Sequence, residues 1–237
     1  MRGIARSALV FGFLVILSGC AGTPEIPYDH STANVHTIGL PTPGFPSDAS
    51  VVLASDVGQS FGLIGALVDA GMQSSRDSQF KDLLAKQNYT ASNQFTQSLT
   101  AAMQQHGYTV VPIAVERKDS GLLKDMPPAP QPVDAYLDIS VFSYGYIAAG
   151  IQDAAPYRPF MVLQCKLIKA SDNSVLMQDR IDLNPVLPSN SKEVTLSPAP
   201  EYQFANFDTL MAQPDRAAEG LQTSVVQVAT NLGNLMQ

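Results

Sequence analysis

Few side chains in this sequence have the chemistry to act. They are two cysteines, Cys20 and Cys165, three histidines, His30, His36 and His106, and two carboxylate pairs, Asp134/Asp138 and Asp179/Asp182. His30 and His36 stand in a proline-punctuated stretch without an acidic or thiol partner at ligand spacing, so a solvated role is preferred to a metal site. His106 ends a helical pattern beside Gly107, where an imidazole complements the helix dipole. Asp134 and Asp138 share a strand face about 13 Å apart at ~3.3 Å per residue, wider than a glycosidase pair. Solvated strand faces account for both pairs. Neither Gly-x-Ser-x-Gly nor any nucleophile with an adjacent base occurs. Gly58–Gly65 lacks both the lysine of a phosphate loop and the Gly-x-Gly of a dinucleotide fold. The expectation is a protein that is not an enzyme and holds no cofactor and no metal.

Composition narrows the class further. The chain has 237 residues, 45% hydrophobic and 15% charged, with formal net charge −7 and no tryptophan. That apolar fraction suits a packed core, and the low charge excludes an acidic disordered tail or a coiled coil. Fourteen basic residues against twenty-one acidic ones argue against a nucleic-acid surface.

The amino terminus is the most informative stretch. Arg2 and Arg6 precede an apolar run from Ala8 to Leu17. A membrane-spanning helix needs about 20 apolar residues, so this run has the length of a secretory h-region instead. Leu17-Ser18-Gly19-Cys20 follows at once and resembles the lipobox of bacterial lipoproteins. The resemblance implies a signal peptide over 1–19, cleavage before Cys20, and acyl chains such as palmitate on that cysteine. One acyl chain binds a membrane only marginally, and two or three make the anchor lasting. Ala21 is not the aspartate that retains such proteins at the inner membrane, which implies an outer-membrane anchor with the domain in the periplasm. Cys165 is then left without a partner, so no disulfide supports the fold.

Behind the anchor, residues 20–50 read as a lipidated tether, with Pro24, Pro27, Pro41, Pro43 and Pro46 interrupting any period. A single domain is expected over 51–237. Val51–Ser55 reads as a short buried strand. Phe61–Met72 is apolar around most of its circumference, with Gly58, Gly62, Ala66 and Ala70 recurring every fourth place. On a helix that stripe permits close backbone approach, by a sheet, a second copy or a partner. The pattern at Phe95, Leu99, Ala102 and Met103 predicts an amphipathic helix capped at Gly107, with Gln87–Thr90 separating it from an earlier one. Tyr108–Val115 reads as a strand, and Pro112 within it marks an edge or a bulge. After a loop at 118–132 rich in proline, Val133, Ala135, Leu137, Ile139 and Val141 alternate with polar residues, the clearest strand in the chain. Phe160–Lys169 and Val175–Leu183 form a hairpin with Met161, Leu163, Cys165 and Leu167 facing inward. An amphipathic helix starting near Pro214 closes the chain.

This order predicts an α+β fold: a mixed β-sheet with helices packed on one face, preceded by the signal peptide and the Pro-rich tether. It resembles the TolB amino-terminal-domain family and curli-secretion-type periplasmic lipoproteins, through Val51–Asp56, Phe95–Val111, Val133–Ser140 and the hairpin around Asp172. Tyr136, Phe142, Tyr144 and Tyr146 share one parity on the third strand, opposite the aliphatic face. They are expected on a second sheet face, covered by the protein itself or by a partner. The functional expectation is a membrane-anchored periplasmic accessory or assembly component of a cell-envelope complex, with an envelope protein partner or self-association. The alternative is a module holding a small apolar envelope ligand between sheet and helices.

Overall fold

A computed structural model describes residues 25–54, 70–87, 89–149, 155–185 and 193–237. The described chain opens with a one-turn helix α1 (His30–Ala33), then β1 (Thr37–Pro41) and β2 (Ser50–Ala54). Two helices follow, α2 (Ala70–Lys86) and α3 (Ala91–Gln105), then strands β3 (Thr109–Ile113), β4 (Ala135–Ala149), β5 (Arg158–Lys169), β6 (Val175–Leu183) and β7 (Val194–Leu196). Helices α4 (Phe207–Met211) and α5 (Pro214–Asn234) close it. One mixed sheet holds all seven strands in the order β3-β1-β4-β5-β6-β7, with β2 also on β4. The α+β class expected from the sequence is what the chain adopts.

β4 is the axis of the sheet because it is long, at 15 residues. Along one side, β1 pairs in parallel with Ala135–Tyr136, Gly44 bridges Ser140, and β2 pairs in parallel with Gly145–Ala149. β5 takes the whole other side antiparallel, and β6 continues the hairpin. Residues 37–54 therefore run the length of β4, which corrects the reading of 20–50 as a tether. Ile26 also bridges Gln178. Pro41, Pro43 and Pro46 keep the segment extended while removing ladder donors. It pairs in short stretches between prolines, and Ile38 and Leu40 are buried all the same.

α3 and α5 pack together over the aliphatic face of the sheet. Phe95, Leu99 and Met103 of α3 meet Leu221, Val225, Val228 and Leu232 of α5, above Leu137, Ile139, Leu163 and Cys165. Each such buried side chain contributes about 1.5–3 kcal/mol. Thr90 stands at the N-cap of α3, His106 at its C-cap, and Gly107 follows with φ +86°. Pro214 opens α5 at its first turn. β3 is an edge strand with Pro112 at its centre. Thr109 N–H and the Ile113 carbonyl bond toward β1's side, so Val110 and Pro112 face outward, and proline leaves that edge one donor fewer for stray pairing.

Gly145 sits where β2, β4 and β5 meet, with φ +146°. A Cβ there would lie 1.9 Å from the Ser50 carbonyl oxygen. Gly145→Ala is therefore expected to cost about 1–3 kcal/mol from backbone strain, plus the loss of β2 pairing. Chemical denaturation checks this, and a midpoint equal to that of the parent would show the β2–β4 junction to be wrong.

Candidate functional site

The helix-free face of the sheet carries most of the polar chemistry. β4 projects Asp138 and Ser140 onto it, since Leu137, Ile139 and Val141 turn to the helices. Asp138 is 1% exposed. Its Oδ1 accepts Arg117 Nη2 at 2.5 Å and its Oδ2 accepts the Leu123 backbone N–H at 2.6 Å. Arg117 also donates from Nε to the Thr42 carbonyl (2.7 Å) and from Nη1 to the Gly121 carbonyl (2.8 Å). One guanidinium thus ties the β1–β2 connection, the 118–132 loop and β4 together. Ser140 lies two residues further on, and its buried hydroxyl has no hydrogen-bond partner among the described residues.

Asp134 performs a similar task at the start of β4. Its Oδ2 accepts the backbone N–H groups of His36 (2.9 Å) and Thr37 (2.8 Å). These bonds hold its carboxyl below the usual aspartate range. Asp134 is exposed, as the alternation suggested, but Asp138 is not a solvated group. Both are clamps on backbone, and Asp138 is buried with its counterion.

The second pair diverges as well. Asp182 takes a two-pronged contact from Arg180, Nε to Oδ1 at 3.0 Å and Nη2 to Oδ2 at 3.1 Å. Burial pushes its carboxyl up, and Arg180 opposes that push. Asp179 is opposite Cys165 and so faces the helices. Burial raises it too, against the Arg180 N–H that its own side chain accepts at 2.7 Å. Cys165 is fully buried, its Sγ 3.7 Å from the Asp179 carbonyl, and desolvation lifts its thiol to about 12. A thiol so placed is inert, as its parity implied.

The four aromatic residues do not stay together. Val141 pairs with Leu163 and Ser143 with Val162, so Phe142 is an extra residue in a β-bulge. The bulge reverses the alternation. Tyr144 and Tyr146 consequently enter the core, 7% and 0% exposed, which corrects their placement on a second face. Tyr146 donates to the Ala217 carbonyl at 2.9 Å and packs edge-on against Phe80 and Phe204. Tyr144 meets Phe45 in the same way. Tyr136 is half-buried beside Gly39, and Phe142 is 40% exposed. Of the small-residue stripe, Gly58, Gly62 and Ala66 lie outside the described residues, as does Cys20. Ala70 is the first residue of α2.

His30 is edge-on to Tyr28 and Tyr108, with 6.2 Å between centroids in each case. His106 Nε2 is 3.0 Å from Asn234 Oδ1. Among the described residues no group of three His, Cys, Asp or Glu could hold a metal, and no helix is long and apolar enough to cross a membrane. A cleft of about 270 Å³ opens between Ile147, Ala149, Pro156, Arg158 and Asn184. Arg158 supplies its one cation among those residues and donates to Gln203 at 3.1 Å.

No protein-family model matches the chain, and no curated protein matches it. Among solved structures, it is similar to a Xanthomonas campestris protein of the DUF330 family. That match has 15% identity over 89% of this chain and 86% of the other, with TM-score 0.42. A PelC dodecamer from Paraburkholderia phytofirmans matches at 9% identity over 86% and 87%, with TM-score 0.33. A candidate lipoprotein from Caulobacter crescentus matches at 11% identity over 62% and 85%, with TM-score 0.24. Similarity at this level concerns outline, and no function is carried across.

Removing one partner of a buried ion pair costs about 3–5 kcal/mol, whereas replacing both with apolar groups is often close to neutral. Asp138→Ala should show the first effect, and the double change Asp138→Leu with Arg117→Met should recover much of it. Denaturation of the three proteins checks this; equal losses in single and double variants would contradict it. Asp134 gives a pH signature. Its folded-state acidity is stronger than in the unfolded chain, so its contribution is complete above about pH 4 and fades as pH falls further. The deficit of Asp134→Asn should therefore shrink on acidification, measured as melting temperature from pH 7 to 2.5. Asp179 and Asp182, raised by burial, carry the opposite sign and are common to both proteins.

Proposed function

We propose that this chain is a lipoprotein anchored through acylated Cys20 in the outer membrane, with its domain in the periplasm. There it serves as a non-enzymatic accessory or assembly component of a cell-envelope complex. The observation that carries the reading is the ordered amino terminus: Arg2 and Arg6, the apolar run 8–17, then Leu-Ser-Gly-Cys ending at Cys20. The domain adds support. Asp134, Asp138, Asp179 and Asp182, the carboxylates singled out for chemistry, are engaged by backbone N–H groups or arginines. Such groups position loops; they are not poised to exchange protons with a substrate.

The alternative, a module for a small apolar ligand, has the Arg158 cleft in its favour. At about 270 Å³ that cleft falls below the usual range of ligand sites, about 300–1,000 Å³. It also lies beside Ile147 and Arg158, on the opposite side of the sheet from the helices, not between sheet and helices.

Palmitate labelling and membrane fractionation of the full chain, parent against Cys20→Ser, test the anchor. The parent should incorporate label and sediment with outer membrane, and the variant should stay unlabelled, uncleaved and displaced. Identical fractionation would refute the anchor. Sedimentation of the detergent-solubilised parent tests the rest: a stoichiometric protein partner or self-association supports the complex, and a lone chain carrying only lipid supports the ligand module.

A further inference from the structure

We propose that residues 126–132 are a docking segment, a proline-rich run that is unbent from Met126 to Ala129 and presents polyproline II-type surface there to an aromatic-lined groove on a protein partner. The sequence there is Met126-Pro127-Pro128-Ala129-Pro130-Gln131-Pro132, so every residue is a proline or immediately precedes one. Proline fixes φ near −65°, and the residue before a proline is pushed out of the helical region toward extended backbone. Met126, Pro127, Ala129 and Gln131, each before a proline, are thus biased toward extended backbone before folding begins, and the four prolines have φ fixed.

The fold holds this segment in place without absorbing it. Residues 124–133 lie in no helix or strand, contain no cis peptide bond, and make no hydrogen bond to the rest of the described chain. Both ends are fastened. Leu123 N–H is held by Asp138, and Arg117 grips the Gly121 carbonyl. At the far end Asp134 binds His36 and Thr37, its own N–H donates to the Thr37 carbonyl, and its carbonyl accepts from Ala170. Pro128, Pro130, Gln131 and Pro132 are exposed, while Met126, Pro127 and Ala129 are half-buried. The run bends at Pro130–Gln131. Two clamps therefore hold an unbonded proline segment at the surface, with Pro128, Pro130 and Pro132 exposed.

Such a segment has the features that aromatic grooves recognise. Its carbonyls are free to accept, its rings offer flat apolar surface, and its conformation is preformed, so little ordering entropy opposes binding. A purely structural role, stiffening a loop by limiting the unfolded chain, does not require the rings to face solvent.

The inference rests on the accessory-component reading and names the surface that reading needs. The test places a photo-crosslinking amino acid in the full chain at Gln131, and separately at Phe142 and Val175, both exposed elsewhere, in cells where the protein is native. A discrete protein adduct from position 131 is expected, with its attachment mapped by mass spectrometry to a site containing Trp, Tyr or Phe. Pro128→Ser with Pro130→Ser and Pro132→Ser should reduce that adduct at least tenfold while leaving the melting temperature within a few degrees. The single change Pro128→Ser serves if the triple variant does not fold. An undiminished adduct, or one on a surface without aromatic residues, would overturn the proposal. Adducts from 142 or 175 alone would remove the segment but keep the complex. No adduct anywhere, with the solubilised chain sedimenting alone, would remove both.

Discussion

The extra residue in β4 governs the arrangement of the whole sheet. Before it, Ala135, Leu137, Ile139 and Val141 face the helices; after it, Tyr144, Tyr146 and Ala148 do. A strand of 15 residues without a bulge would twist steadily and send its second half's tyrosines to the opposite side. With Phe142 set aside, Tyr146 reaches α5 and bonds Ala217, and the aromatic cluster of Phe80 and Phe204 assembles around it. The same offset places Gly145 under Ser50, where only a residue without a side chain lets β2 close on β4. Gly220 of α5 is the matching concession, since a Cβ there would meet the Tyr146 hydroxyl at 2.3 Å.

The outer side of β4 depends on charge as the inner side depends on shape. Burying Asp138 is unfavourable unless its counterion and hydrogen bonds come with it. Arg117 and Leu123 supply both, and in doing so they bring the 118–132 loop down over the start of the strand. Asp134 does the equivalent for the turn into β1. The two aspartates explain how a loop with four prolines in six residues remains well defined without secondary structure. They also explain why its rings are displayed on the surface.

Much of this was legible in the sequence. The inward row Met161, Leu163, Cys165 and Leu167, the apolar face of α5 and the break at Thr90 all follow from simple periodicity, because each element there is regular. What escaped is irregular. A bulge leaves no mark on composition, and Val141-Phe142-Ser143 reads as unbroken alternation, so periodicity alone puts Tyr144 and Tyr146 on the wrong face. The prolines before Ser50 suggested a tether, yet proline excludes only the ladder donor and not extended backbone, which is how β1 pairs between β3 and β4. Asp138 looked solvated because its partner is distant in sequence, and nothing in the spacing of Arg117 announces the pair. Every one of these misses is a long-range event. The lipobox-like run ending at Cys20 is a local pattern in the sequence, and it lies outside the described residues.

The offset in β4 determines which side chains belong to the buried body and which to the exposed surface. Hydroxyl-radical footprinting of the full-length protein tests this most directly, because the chain has no tryptophan to dominate the oxidation. Tyr144, Tyr146 and Tyr157 should be protected and Phe142 modified. Oxidation of Tyr144 and Tyr146 to the same extent as Phe142 would mean that the alternation runs unbroken through β4, and the account of both faces would fail.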